Sequence, residues 1–192
     1  VNIQGIELDD IHRGQVIVHT NGLDETSAFD AEVRLLPHLT KPLKQRSPLL
    51  LHTGTIQTPC RLFFHDRSSL APGESTWARV FLQEPTVVLP EDRLILRGFR
   101  RFEGHGTTVG GGIVVDPFPP RHRRNPNLLP RLKSFFQANV EERISLLVEH
   151  AETQGVGQAE LSQRTGHTLK SLERSLSRLL SQGIVICYEK EP

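Results

Sequence analysis

The feature that most constrains this chain is a change of hydrophobic period part-way along it. Up to residue 117, turn residues cut the sequence into short runs, and beyond residue 136 apolar residues recur every three or four positions. A period of two sends side chains to opposite faces of a strand, whereas a period near 3.6 lines one face of a helix, so the two halves build cores differently. In Phe29-Asp30-Ala31-Glu32-Val33-Arg34-Leu35 the alternation marks a half-buried strand. Further β-rich runs fall at 48–53, 58–65, 75–83, 86–89, 93–99 and 107–115, with Ala71-Pro72-Gly73-Glu74 and Leu89-Pro90-Glu91-Asp92 as turns. Short strands with no long helical segment among them predict a closed antiparallel barrel, with a sandwich as the alternative.

Prolines at 117, 119, 120, 126 and 130 predict an extended Pro/Arg-rich linker over 118–136. Beyond it, Val140, Ile144, Leu147, Val148 and Ala151 share a helical face, with Asn139 and Glu142 placed as an N-cap and its third-residue partner. A second helix fits Ala159–Arg164, stopped by Gly166. A third carries Leu169, Leu172, Leu176, Leu179 and Leu180, with Gly183 as its stop. With a strand at Ile184–Tyr188, this order predicts a winged helix, three helices and a β-wing, over 137–192. On the third helix Lys170, Ser171, Arg174 and Arg178 lie opposite the leucines as a candidate RNA face.

Composition limits the function classes. The 192 residues exceed the usual size of one domain. No apolar run is long enough to span a membrane and no signal-peptide pattern opens the chain, so a cytoplasmic location without a membrane partner is expected. Met is absent, even at position 1, so an excerpt of a longer protein is expected. Cys60 and Cys187 lie far apart in no metal-binding spacing and read as two buried thiols. The net charge of +1 hides strong segregation. Residues 1–32 hold seven acids against Arg13 alone. Residues 33–65 carry Arg34, Lys41, Lys44, Arg46 and Arg61, and residues 117–140 carry Arg121, Arg123, Arg124, Arg131 and Lys133, neither stretch with an acid. Acid-free basic stretches suit a polyanion surface, or equally a set of solvated loops offsetting the acidic start.

Catalytic patterns are missing. Gly104-His105-Gly106-Thr107-Thr108-Val109-Gly110-Gly111-Gly112 lacks the GxGxxG spacing and the following Lys-Ser/Thr of a P-loop, and a strand follows it where a phosphate cradle would need a helix. It reads as a barrel strand whose glycines admit close backbone approach. Nine histidines include no HExxH, no metal site is expected, and no GxSxG is present. Arg97-Gly98-Phe99-Arg100-Arg101-Phe102 interleaves arginines with aromatics, which suits gripping a sugar–phosphate backbone and stacking on bases, or equally a core Phe99 beside exposed arginines.

The motifs then become specific. Ile3-Gln4-Gly5-Ile6-Glu7-Leu8-Asp9-Asp10-Ile11-His12-Arg13-Gly14-Gln15-Val16 resembles the closing strands of the second domain of translational GTPases. Asp30–Leu36, His52-Thr53-Gly54-Thr55, Ala71–Glu74, Leu82-x-Glu84-Pro85 and Leu94-Ile95-Leu96-Arg97 resemble the third, β-barrel domain of the elongation factor Tu superfamily. Thr107–Pro117 with Pro120-Arg121-His122-Arg123-Arg124 is most similar to the selenocysteine-specific elongation factor family within it.

The resemblance implies four parts: closing strands of barrel domain II over 1–26, barrel domain III over 27–117, the linker over 118–136 and a first winged helix over 137–192. It implies delivery of selenocysteinyl-tRNA to the ribosome for UGA recoding, with the mRNA hairpin (SECIS) held by the winged-helix array, mainly by its later members. GTP and Mg would belong to a GTPase domain of which this sequence has neither the P-loop nor the Asn-Lys-x-Asp motif. The chain itself is therefore expected to be non-catalytic and free of cofactors. Candidate tRNA contacts carried over are His52, Thr53, Gly54, Thr55, Arg97, Gly98, Arg100 and Arg101, with Arg121, Arg123 and Arg124 as further RNA contacts in the linker. Two readings from other classes remain beside it. One is a transcription regulator joining a barrel sensor to a DNA-reading winged helix. The other is a carbohydrate or metabolite enzyme, for which the sequence supplies no paired carboxylates or nucleophile.

Overall fold

The structure is a computed structural model and describes residues 4–18, 23–102, 106–120 and 127–188. Six strands close an antiparallel barrel in the order β1-β6-β4-β3-β7-β8. They are β1 (Thr26–Leu35), β3 (Pro48–Thr53), β4 (Ile56–Phe64), β6 (Ser75–Thr86), β7 (Arg93–Phe102) and β8 (Gly106–Asp116). The short strands β2 (Leu43–Lys44) and β5 (Ser69–Leu70) pair with each other beside it. The expected alternation holds on β1, where Phe29, Ala31, Val33 and Leu35 are buried. They meet Leu49 and Leu51 from β3, Leu62 and Phe64 from β4, Val80 from β6, and Leu94 and Leu96 from β7. The run at 86–89 forms no strand of its own; Thr86 ends β6.

The glycine-rich segment is β8, and its glycines are required by the closure of the barrel. A Cβ on Gly110 would sit 2.3 Å from the Arg34 carbonyl oxygen, and one on Gly112 would sit 2.2 Å from that of Glu32. Any side chain at these two positions would push β1 and β8 apart, and a phosphate would meet carbonyl oxygens where a cradle needs N–H groups.

Four expectations are corrected. The described part of residues 1–26 before Thr26 contains a short 3-10 turn at Leu8–Asp10 and no strand. A strand needs a laddered neighbour, and this stretch instead packs by side chain: Arg13 Nε donates to the Thr55 carbonyl at 3.0 Å. The linker is not extended throughout, because Leu128–Gln137 is a helix, α1. Pro130 stands in its first turn, where a missing N–H forfeits no intrahelical bond, and Leu128, Leu132 and Phe135 form its buried stripe. Ile184–Tyr188 shows no strand, and Ile186 and Tyr188 are exposed. Cys187 in the same stretch is exposed too, so only Cys60 is a buried thiol.

The remaining helices follow the sequence closely. They are α2 (Val140–Ala151), α3 (Gln158–Thr165) and α4 (Leu169–Ser181). Asn139 and Glu142 form the expected capping box on α2, each side chain bonding the other's backbone N–H at 3.0 and 2.8 Å. Gly166 closes α3 in the left-handed region at φ 74°. On α4 Leu172 and Leu179 are buried, while Leu169 and Leu180 are 42% exposed at the ends of the stripe.

The helices are fastened to the barrel. Val115 and Trp77 of the barrel join the core formed by Leu132, Phe135, Ile144, Leu147 and Leu172, and Trp77 meets Phe136 edge-on at 5.5 Å. Asp116, at the end of β8 and 2% exposed, accepts from Arg131 of α1 and Arg164 of α3, both at 2.8 Å. Gln163 of α3 bonds both backbone groups of Asp24, and Arg143 of α2 pairs with Glu91 at 3.4 Å. Beside this seam Asp30 is fully buried between Arg79, which holds it through two bonds of 2.9 Å, and His65 at 3.0 Å. Arg79 also donates to the Pro120 carbonyl, pinning the start of the connecting segment to the barrel. The outcome is a barrel followed by four packed helices, joined through a buried salt-bridge cluster.

Candidate nucleic-acid interface

β4, β3 and β7 are consecutive around the barrel, and none of them contains an aspartate or glutamate. Their outward residues follow from the pleat. Leu49, Leu51 and Thr53 point into the core, so Pro48, Leu50 and His52 face out; by the same parity Arg93, Ile95, Arg97 and Phe99 face out from β7, and Pro59, Arg61 and Phe63 from β4. Arg61, Arg93 and Arg97 are exposed, and so are Ile95 and Phe99, at 50% and 68%. Arg46, also exposed, lies 5.9 Å over the Phe63 ring. This barrel wall therefore presents arginines interleaved with apolar groups, with no carboxylate on its three strands to compete for them.

His52 sits at its centre. Its pair in the ladder is Ile95, and its imidazole Nε2 is buried without a hydrogen-bond partner. Burial holds its pKa below the ordinary histidine value, and the nearby charges of Arg97 and Arg13 push it the same way. Arg97 Nε donates to the Thr107 hydroxyl at 2.9 Å, which orients the guanidinium along the β7–β8 edge. The turn after β3 needs Gly54, at φ 52°, and Arg13 reaches this turn from the N-terminal stretch.

The expected contact residues separate on this geometry. His52, Gly54, Thr55 and Arg97 come together on one edge, with Thr55 giving its carbonyl to Arg13. Thr53 faces inward, and its hydroxyl donates to the Arg93 carbonyl at 3.0 Å. Gly98 sits against Val109, 3.2 Å from where a Cβ would be. Arg100 and Arg101 lie in β7, but their side chains fall outside the described residues, as do Arg121, Arg123 and Arg124 altogether. On α4, Lys170 and Arg174 are exposed. Thr168 caps the helix by accepting from the Ser171 backbone N–H, the Ser171 hydroxyl donates to the Thr168 carbonyl, and Arg178 pairs with Glu141 of α2 at 2.7 Å. α4 is thus less basic than its helical wheel suggests, and Glu173 is exposed beside Arg174.

Arg13, Arg61 and Arg93 were not among the sequence candidates. Arg61 carried a signal, as part of the acid-free stretch 33–65; Arg93 carried none, because its place depends on β7 lying beside β3. Among the described residues no cluster of three histidine, cysteine or acidic side chains could hold a metal, and no helix is long and apolar enough to cross a membrane.

Residues 30–121 match the family model for the β-barrel domain of the selenocysteine-specific elongation factor. The barrel is therefore similar to the β-barrel domain of that family. The match runs from Asp30, the buried carboxylate of β1, through the acid-free wall and β8 into the connecting segment. Over 191 residues, all of this chain, the sequence is 29% identical to the selenocysteine-specific elongation factor of Desulfomicrobium baculatum. The chain spans 30% of the length of that relative. The family expected from the motifs is thus the one found, and the likeness continues through the four helices.

Proposed function

We propose that this chain is an RNA-holding, non-catalytic part of a cytoplasmic factor that brings selenocysteinyl-tRNA to the ribosome for UGA recoding. The observation that carries the proposal is the acid-free wall of β4, β3 and β7, with Arg61, Arg93 and Arg97 exposed around His52. Such a wall grips a duplex backbone by neutralising phosphates and reads shape in preference to sequence, which suits the acceptor and T-stem of a tRNA. GTP and Mg do not fit the residues present: the space beside Gly110 and Gly112 is taken by carbonyl oxygens of β1 and that beside Gly111 by a carbonyl oxygen of β7, and the sequence has no P-loop lysine.

α2, α3 and α4, with the tight turn at Gly166, constitute a winged helix in this reading, one member of an array that holds the mRNA hairpin. Lys170 and Arg174 supply its exposed basic groups. The salt-bridged seam at Asp116 favours a spacer that fixes the array's direction relative to the tRNA-bearing barrel.

A salt-series titration of the 192-residue chain against selenocysteine tRNA, a recoding-type mRNA hairpin and random duplex DNA tests the assignment. Tightest binding to the tRNA, weakened by ~1–3 kcal/mol in Arg97→Ala, is expected. Preference for the hairpin would move the activity to α4, and preference for DNA would favour a transcription regulator.

A further inference from the structure

Where the outward faces of four strands meet, the wall holds a groove of about 410 Å³. Its lining includes Phe99 of β7, Pro48 of β3, Pro59 and Arg61 of β4, and Phe81 and Gln83 of β6. The register explains the alignment. Pro48 is opposite Arg61 and Arg61 opposite Phe81, while Phe99 lies two residues beyond the Leu50–Arg97 pair, level with Pro48. One row across the barrel therefore reads Phe99, Pro48, Arg61, Phe81, with adjacent strands ~4.8 Å apart.

Phe99 is the anomaly in that row. A large aromatic ring 68% exposed on a strand gains nothing from the core, and Gly98 beside it lets the strand pack closely on Val109 so that the ring stands clear. The groove is lined mostly by apolar side chains, with Arg61 as its charged lining residue, and Arg97 stands outside it, two residues before Phe99 on the same face of β7. A purely apolar peptide would have no use for two guanidinium groups. A nucleotide would use both features: a flat base against Phe99 and proline, and a phosphate near the arginines.

We infer that this groove is a stacking subsite for one unpaired nucleobase of a bound RNA. The inference rests on the RNA-holding reading of the same wall and adds to it a chemical preference. Paired bases inside an A-form stem cannot reach Phe99, so the wall favours an RNA that carries an unstacked nucleotide next to a duplex over a blunt duplex of the same length. Arg97 and Arg93 hold the duplex backbone, and Phe99 takes the extruded base.

The test uses two probes with the 192-residue chain: a blunt RNA duplex and the same duplex with one unpaired 2-aminopurine nucleotide. The unpaired probe is expected to bind about tenfold more tightly, the size of a single base–aromatic stack, and its fluorescence to be quenched on binding. In Phe99→Ala the ratio of the two affinities should fall to about one and the quench should vanish, whereas Phe99→Trp should retain both. Equal affinities of the unaltered chain for the two probes, with Arg97→Ala weakening both, would overturn the stacking subsite and leave the RNA reading standing. Binding of neither probe would overturn both. Displacement of the unpaired probe by a proline-rich peptide and not by excess blunt duplex would assign the groove to a protein partner and overturn the inference.

Discussion

Replacing Asp116 by alanine tests how the helices are held to the barrel. Asp116 is 2% exposed and is the shared acceptor of Arg131 and Arg164, whose side chains are 9% and 11% exposed. Its removal strands two guanidinium groups at a buried seam. Breaking a buried pair costs ~3–5 kcal/mol, mostly because the surviving charge stays desolvated. The low end applies here, since Arg164 keeps Glu160 at 2.9 Å and Arg131 keeps the Phe135 ring at 5.2 Å. A loss of ~3 kcal/mol is expected. Trp77, the one tryptophan of the chain, reports on the same seam through its contact with Phe136. In urea, its fluorescence in Asp116→Ala should change before the β-sheet circular dichroism does, because the helices detach while the barrel persists. A double-mutant cycle with Arg131→Met should show coupling of ~1–3 kcal/mol, as the second change removes one of the stranded charges. A loss under about 1 kcal/mol, with the two signals still coincident, would refute the argument that this cluster fastens the seam.

Three further outcomes follow from the same chemistry. Burial alone would raise the pKa of Asp30, but hydrogen bonds from Arg79 and His65, with their charges, outweigh it and hold the carboxyl below its usual value. Asp30 therefore stabilises the fold above about pH 4 and loses that contribution as pH falls through its lowered native value. Urea midpoints from about pH 7 to 2 should fall less steeply below about pH 4 for Asp30→Asn; an unchanged acid limb would count against it. For His52 the native pKa is lowered by burial and by Arg97 and Arg13, so an NMR titration should place it under about 6.5, and bound RNA should raise it by supplying phosphates. A His52 value that RNA leaves unmoved would separate this residue from the interface. Burial pushes the Cys60 thiol up to about 12, while Cys187 is exposed, so iodoacetamide at about pH 8 should label Cys187 and spare Cys60 until the chain unfolds. Equal labelling of the native chain would contradict the packing of β4.

The parts of the fold that were legible in the sequence are those set by near neighbours. The alternation in Phe29–Leu35, the Asn139–Glu142 capping box and the stop at Gly166 depend on contacts within a few residues, and each stands where the pattern placed it. The glycines of β8 were also readable as close-packing positions, since no phosphate-binding pattern surrounds them. What escaped depends on contacts made far along the chain. Arg131 and Arg164 lie 15 and 48 residues from Asp116, so nothing local marks them as partners. Proline counting hid α1, because the same residue that breaks a helix interior is tolerated in its first turn.

The candidate site shows the same limit. Among the described residues the basic stretches divide: Arg61 joins the barrel wall, Arg131 disappears into the seam, and Arg93, from neither stretch, completes the wall. The motif His52-Thr53-Gly54-Thr55 falls at the end of β3 beside Arg97 and Arg13, while strand parity turns Thr53 inward to bond the Arg93 carbonyl. Phe99, readable as core or surface from sequence, stands out from the strand because the inward positions of β7 are Leu94 and Leu96.

The most direct test of the RNA-holding wall is the salt dependence of selenocysteine tRNA binding by the unaltered chain and by the triple variant Arg61→Gln, Arg93→Gln, Arg97→Gln. Each phosphate that no longer meets a guanidinium should reduce the slope of log affinity against log salt by ~0.7–0.9, so a reduction of ~2 to 3 is expected together with weaker binding at low salt. An unchanged slope in a variant that remains folded would contradict the placement of RNA on β4, β3 and β7.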